Sequence, residues 1–282
     1  MPLALNAFTV DVEDWFHVCG VDDRLPTGRW NDLDSRVERT TAALLDDLGE
    51  SGSGATFLIV GWVAERFPAL IRDIASAGHE IGLHGHRHRR VFELSPDQFR
   101  HDLRDNLDAV RAAGVTSEIV AFRAPEWSMN QRTPWAPEVL VAEGLRVDAS
   151  RAPVARVGSA AFPRRPYPLA TAAGPLFEVP PLVTELAGHA VPLGWGWGLR
   201  KAEPRDVLRA IEASNRHGDP AVLTVHPWEI DPEPPYVRLP APLAFSHYYR
   251  LAGFRARLRA VLAGASFGPL RDLPDVTSWL AC

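Results

Sequence analysis

Short apolar segments recur along this chain with amphipathic segments between them, and that alternation restricts the fold more than any other feature. AFTV at 7–10, ATFLIV at 55–60, EIGL at 80–83, the segment 119–122, the segment 145–148 and AVLTV at 221–225 have the length and apolar content of buried strands. Val37, Thr41, Leu44, Leu45 and Leu48 recur on one face of a helix over 35–49, which Ser35 and Glu38 open as a capping box. Ser95, Pro96 and Gln98 open another, with Leu94 and Phe99 placed as a hydrophobic staple and Gly114 as its stop. Further helices are expected over 68–77, 134–143 and 203–215. Strands separated by helices build βαβ units, so the expected class is α/β with a mostly parallel sheet. Residues 153–181 read as irregular and Pro-rich, residues 231–242 with their five prolines as an extended loop, and 245–263 as a closing helix.

Composition narrows the function classes. A chain of 282 residues with 46% hydrophobic content can bury a sizeable core. A formal net charge of -5 and a pI near 6.1 argue against a nucleic-acid partner, which needs a basic stripe. Arg250, Arg255, Arg257 and Arg259 read as a solvated helix face. Two cysteines, Cys19 and Cys282, do not make a disulfide framework. There is no 18-residue apolar run, and acids beginning at Asp11 leave no room for a cleavable signal, so a cytoplasmic protein without a transmembrane segment is expected.

Polar groups stand immediately after the expected strands: Asp11, Glu13 and Asp14; His84, His86 and His88; Arg123; Asp148; His226. In parallel α/β folds the carboxyl ends of the strands share one face, so these groups are expected to meet. HGHRH is the strongest local signal, because neutral imidazole is the commonest metal ligand. On a continuing strand its three histidines would share a face; on a turn His84 and His88 would converge and His86 would point away. A carboxylate with two histidines leaves positions open for water and substrate, as a catalytic divalent site requires, and suits zinc, cobalt, nickel or iron. His226, at a strand end opposite, is a candidate general acid or base, and Arg123 a bidentate partner for a carboxylate.

Taken in order, TVDVED, GLHGHRH, FRAPEW, VDAS and LTVHP resemble the polysaccharide deacetylase family, the NodB-homology group of carbohydrate esterase family four, over about residues 5 to 230. The tail, HPWEIDPEPP with FSHYYRLAGFRARLRAVL, is similar to a bacterial subgroup tied to exopolysaccharide and exosortase loci. The resemblance implies a distorted, incomplete (β/α) barrel over 1–240, with 241–282 as a helical extension packed on the same domain. It implies a hydrolase that removes N-acetyl groups from a carbohydrate polymer or precursor, with zinc as the default metal.

Carried over residue by residue, it makes Asp11 the general base, oriented by Arg123, and His226 the general acid, tuned by Asp148. His84 and His88 become metal ligands and His86 does not. A backbone N–H near Glu126 would stabilise the oxyanion, and Trp15, Trp127 and Trp228, beside these motifs, are candidates to stack on sugar faces. Two departures stand out. Many relatives read Asp-Asp-Gly where this chain reads Asp-Val-Glu-Asp, so the ligating carboxylate is Glu13, which shares a strand face with Asp11, or Asp14, slightly favoured, if the strand turns at Val12. Glu126 stands where many relatives carry an aromatic residue, which leaves open another amide, such as a cyclic ureide, as substrate. A carbohydrate-binding barrel without catalysis is the competing class.

Overall fold

The computed structural model describes residues 4–155, 157–186 and 189–281; Cys282 lies outside them. The strands are β1 (Leu5–Val12), β2 (Thr56–Ile59), β3 (Glu80–Leu83), β4 (Ala121–Phe122), β5 (Val147–Asp148), β6 (Tyr167–Thr171), β7 (Gly174–Glu178), β8 (Val183–Leu186), β9 (His189–Pro192), β10 (Val222–Val225) and β11 (Ser266–Gly268). The helices are α1 (Val37–Ser51), α2 (Gly61–Arg66), α3 (Pro68–Ser76), α4 (Pro96–Ala112), α5 (Ala136–Ala142), α6 (Gly196–Lys201), α7 (Pro204–Arg216), α8 (Ala241–Tyr248), α9 (Phe254–Leu262) and α10 (Pro274–Leu280).

One sheet runs β10-β1-β2-β3-β4-β5-β7-β6, with β11 also on β1, and every pairing except β6 with β7 is parallel. This is the curled, incomplete barrel that the resemblance implied. Parallel strands need crossovers, and α1 to α5 supply those from β1 to β5.

Alternation along β1 explains how one strand serves both core and site. Phe8, Val10 and Val12 enter the main apolar cluster, which includes Leu44, Leu48, Phe99, Leu103 and Leu140 from the helices. The opposite face begins apolar, where Ala7, Leu58, Ala121 and Val222 pack with Leu270, Leu273 and Val276 of the C-terminal segment. It continues as Thr9, Asp11 and then Glu13, polar and buried toward the carboxyl end.

Several sequence expectations are corrected. Ser35 does not cap α1: Arg36 occupies the N-cap position without a side-chain bond, and the Ser35 hydroxyl donates to Asp14 instead. The Ser95–Gln98 capping box on α4 is present, with both reciprocal bonds formed. The 153–181 region holds the hairpin β6–β7, hidden in the sequence by Pro168 and Pro175, which are tolerated because the ladder is short and β6 is a sheet edge. The closing helix is two, broken where Arg250 and Gly253 take left-handed backbone (φ 51° and 73°). The C-terminal segment is also not only helical, since β11 joins the sheet. Among the described residues no helix is long and apolar enough to cross a membrane.

Candidate active site

Because the strands are parallel, the residues that follow them open at one end. Glu13 follows β1, His84 follows β3, Arg123 follows β4 and His226 follows β10, while Asp11 sits in the last turn of pleat of β1. Glu13 Oε1 lies 2.9 Å from His84 Nε2 and 2.8 Å from His88 Nε2, and all three side chains are buried. His88 reaches back because Gly85 and His88 both take left-handed backbone (φ 74° and 50°), turning the chain after β3.

The donor set fits a metal ion. His84 Nδ1 is 2.8 Å from the Arg123 carbonyl, an acceptor, so Nδ1 carries a proton, and in a neutral ring the lone pair on Nε2 would then face Glu13. A lone pair facing a carboxylate oxygen at 2.9 Å is repulsive unless a proton or a cation lies between them. Burial opposes charge on Glu13, but His88, His226 and the hydrogen bonds from His84 and His88 outweigh it and hold the carboxyl well below the usual carboxylate range. Asp11, Glu13 and His226 form an overlapping group of suitable ligand atoms. That group is the poorer cradle, since His226 Nε2 stands 3.8 Å from both carboxylates and Arg123 already occupies Asp11.

Arg123 Nη1 donates to Asp11 Oδ1 at 2.6 Å and to Thr9 Oγ1 at 2.8 Å, and its Nε donates to the Ala149 carbonyl. One nitrogen rather than the expected fork therefore holds Asp11. Both residues are almost wholly buried, so the ion pair acts in a medium where charge is felt strongly. His226 directs Nε2 toward Asp11 and Glu13 and Nδ1 toward Glu229 Oε2, 2.9 Å away. Burial works against its charge, yet Glu13, Glu229 and Asp11 outweigh that and push His226 up to about 9.

Three sequence expectations change. Asp14 points away from the histidines: Oδ1 and Oδ2 accept the backbone N–H groups of Trp15, Arg36 and Val37 and the Ser35 hydroxyl. The chain turns tightly after Val12, with the Glu13 N–H on the Asp11 carbonyl, which keeps the Glu13 carboxylate near Asp11 and takes Asp14 to the start of α1, where a carboxylate satisfies unpaired helix donors. Asp14→Ala is expected to lower unfolding stability by about 1–3 kcal/mol while leaving metal content unchanged, as read by denaturant titration with metal analysis. Asp148 is not beside His226 in the manner expected. It accepts the Ser150 hydroxyl and pairs in register with Glu178, and burial pushes both carboxyls up, Glu178 most, with Asp148 adding to that rise. Trp15 is core: 4% exposed, edge-on to Phe16, with its indole N–H on the Asp34 carbonyl. His86, also expected to stand apart, packs against Gly61, where an added Cβ would sit 2.3 Å from its Nδ1.

A cavity of about 190 Å³ opens over Asp11, Glu13, His88 and His226, and Glu126, Trp127 and Trp228 line it. A larger hollow of about 390 Å³, lined by Arg36, Arg39, Asp231 and Arg255, holds none of this chemistry. Glu126 and Trp127 both take left-handed backbone (φ 52° and 49°), a strain that two bulky residues accept only when fixed in place. Arg90 Nε, 2.7 Å from Glu126 Oε2, takes up the acid that had put the pocket's charge in question.

Trp195, Trp197, Arg200, Glu229 and His247 also line the cavity and were missed in the sequence. Glu229 had a signal, lying three residues after His226 across a proline, which is capping-box spacing. GWGWG at 194–198 had another: a Cβ on Gly198 would lie 1.8 Å from the Pro192 carbonyl, so the glycines let this segment press against its neighbours.

Residues 26–142 match the family model described as polysaccharide deacetylase, and residues 149–274 match one described as a domain of unknown function, DUF3473. A peptidoglycan-N-acetylglucosamine deacetylase of Bacillus cereus is 31% identical over 99 residues, a match spanning 35% of this chain and 36% of that protein. A solved structure assigned to the polysaccharide deacetylases, from Mycobacterium smegmatis, is 24% identical with a TM-score of 0.58 and covers 95% of this chain and 88% of that one. A carbohydrate esterase family 4 pseudoenzyme from Bacillus anthracis is 14% identical with a TM-score of 0.50, covering 98% and 66% respectively. The structural likenesses establish a shared fold.

Proposed function

We propose that this chain, which carries a polysaccharide deacetylase domain continued by a DUF3473 domain, is a metal-dependent hydrolase that removes N-acetyl groups from a sugar of a glycan or glycan precursor. The observation that carries this reading is the convergence, on one sheet end, of an ion-binding triplet with an arginine-held carboxylate and a carboxylate-held histidine.

Glu13, His84 and His88 would hold the ion, with zinc the ion proposed. When bound, a divalent cation supplies Lewis-acid polarisation of an acyl oxygen and makes a water more acidic. Asp11 takes the proton from the attacking water, and Arg123 keeps that carboxylate aligned. His226 gives its Nε2 proton to the departing nitrogen, without which the amine is a poor leaving group. Trp195 and Trp197, half-buried at the cavity, offer flat apolar faces suited to sugar rings, whereas Trp127 is buried against Trp195 and Trp228 is buried between the rings of His226 and His247; Glu126, paired with Arg90, forms part of the rim.

The test is acetate release from N-acetylglucosamine oligomers by the chain loaded with zinc. Acetate in step with free amine is the expected result. Binding of the oligomers with no acetate released, in zinc or in cobalt, would instead favour a carbohydrate-binding barrel.

A further inference from the structure

His226 has to present Nε2, and only Nε2, to the reacting amide, so something has to hold the other side of its ring. The expected holder, Asp148, has one oxygen on the Ser150 hydroxyl and stands beside Glu178 in the sheet, and no contact from it reaches His226 among the described residues. Glu229 instead lies 2.9 Å from His226 Nδ1, and the same Oε2 accepts the His226 backbone N–H at 3.0 Å, so the short turn Pro227–Ile230 locks the two together. Its other oxygen accepts from Arg200 Nε at 2.7 Å. Arg200 is 2% exposed and spends its remaining donors on the carbonyls of Ser246, His247 and Tyr249, which are unsatisfied groups at the end of α8. A buried ion pair is kept at a cost unless each partner's polar atoms are filled, and here both carboxylate oxygens are.

We propose that Glu229, seated by Arg200, is the positioning residue for His226, and that Arg200 ties this orientation to the α8 segment that helps line the cavity. For the reaction itself this rests on the deacetylase reading. As the C–N bond breaks, its electron pair stays on nitrogen, which takes the Nε2 proton. The imidazole is left neutral, with its Nδ1–H still donated to Glu229.

The test uses the full chain, metal-free and zinc-loaded, with long-range ¹H–¹⁵N spectra of the His226 ring assigned by loss in His226→Gln. A protonated Nδ1 is expected, shifted by Glu229→Gln and, less, by Arg200→Lys, and unmoved by Asp148→Asn. A wild-type Nδ1 without a proton, or one that responds to Asp148→Asn and not to Glu229→Gln, overturns the proposal even if the variants are poorly folded. In kinetics, Glu229→Gln should lower kcat on N-acetylglucosamine oligomers roughly 100-fold with KM within about twofold. Hydrolysis of 4-nitrophenyl acetate, whose leaving group departs without a proton, should stay within about threefold. Equal losses on both substrates would mean general damage and sink the positioning role. Should the wild type release no acetate, the deacetylase reading fails while the spectra still decide the pairing.

Discussion

Asp11→Asn is expected to retain the metal and the fold while losing about 100- to 10,000-fold in acetate release, the range a positioned proton acceptor contributes. Asparagine keeps the size of the side chain and can still accept from Arg123, but it has no basic oxygen to take a proton from water. Stability should fall by about 3–5 kcal/mol, because the substitution takes away the charge partner of a wholly buried guanidinium. Circular dichroism checks the fold, and metal analysis carries the sharper question. Asp11 belongs to the second possible ligand group, with Glu13 and His226, and not to the first. A chain that keeps stoichiometric metal and loses turnover fits Asp11 as base. Metal lost along with activity would place the ion against Asp11, and surviving activity would remove Asp11 from the proton transfer.

The legible part of this site was the part that follows from strand periodicity and parallel topology. Asp11, His84, Arg123 and His226 each stand at or next to the end of an apolar run, and runs paired in parallel bring their ends together whatever their separation in sequence. The Glu13 or Asp14 choice was harder, because it turns on whether the pleat continues one residue beyond the ladder. It does not continue regularly, since the Glu13 N–H folds back onto the Asp11 carbonyl, yet the Glu13 carboxylate stays within reach of Asp11, while Asp14 meets Ser35, Arg36 and Val37 more than twenty residues away. That long-range cap also explains why a local capping box at Ser35 was misread, since the hydroxyl that would close it already had a carboxylate to bind.

Asp148 and Glu229 show the other limit. A strand-end acid and a histidine share one end of the sheet, yet register placed Glu178, two strands along in sequence, directly beside Asp148. The hairpin that brings Glu178 there was itself obscured by prolines. Glu229 carried only its spacing to His226, and Arg200 has ordinary helix surroundings in sequence; only the tertiary approach of the α6, α8 and Pro227–Ile230 segments buries both.

Glu13→Gln tests the metal assignment most directly, since it removes one charge and keeps the side chain's length. Loss of a ligand's outer partner alone weakens metal binding by about 10- to 100-fold, so loss of the carboxylate at the centre of the triplet should cost at least that much. His84→Ala and His88→Ala should behave alike, whereas His86→Ala, whose ring packs on Gly61, should keep the metal. In the metal-free chain burial opposes charge on His88, but Glu13 and Cys19 outweigh it and hold that imidazole well above its usual range. Uptake of the ion must displace this proton, so apparent affinity should rise with pH up to the range in which His88 loses it, and calorimetry in buffers of different ionisation heat should register the release. In Glu13→Gln the proton loses its main partner, so the pH dependence should flatten as the affinity falls. An unchanged affinity, or a loss matched by Asp14→Ala, would move the ion away from Glu13 and return the choice to Asp14.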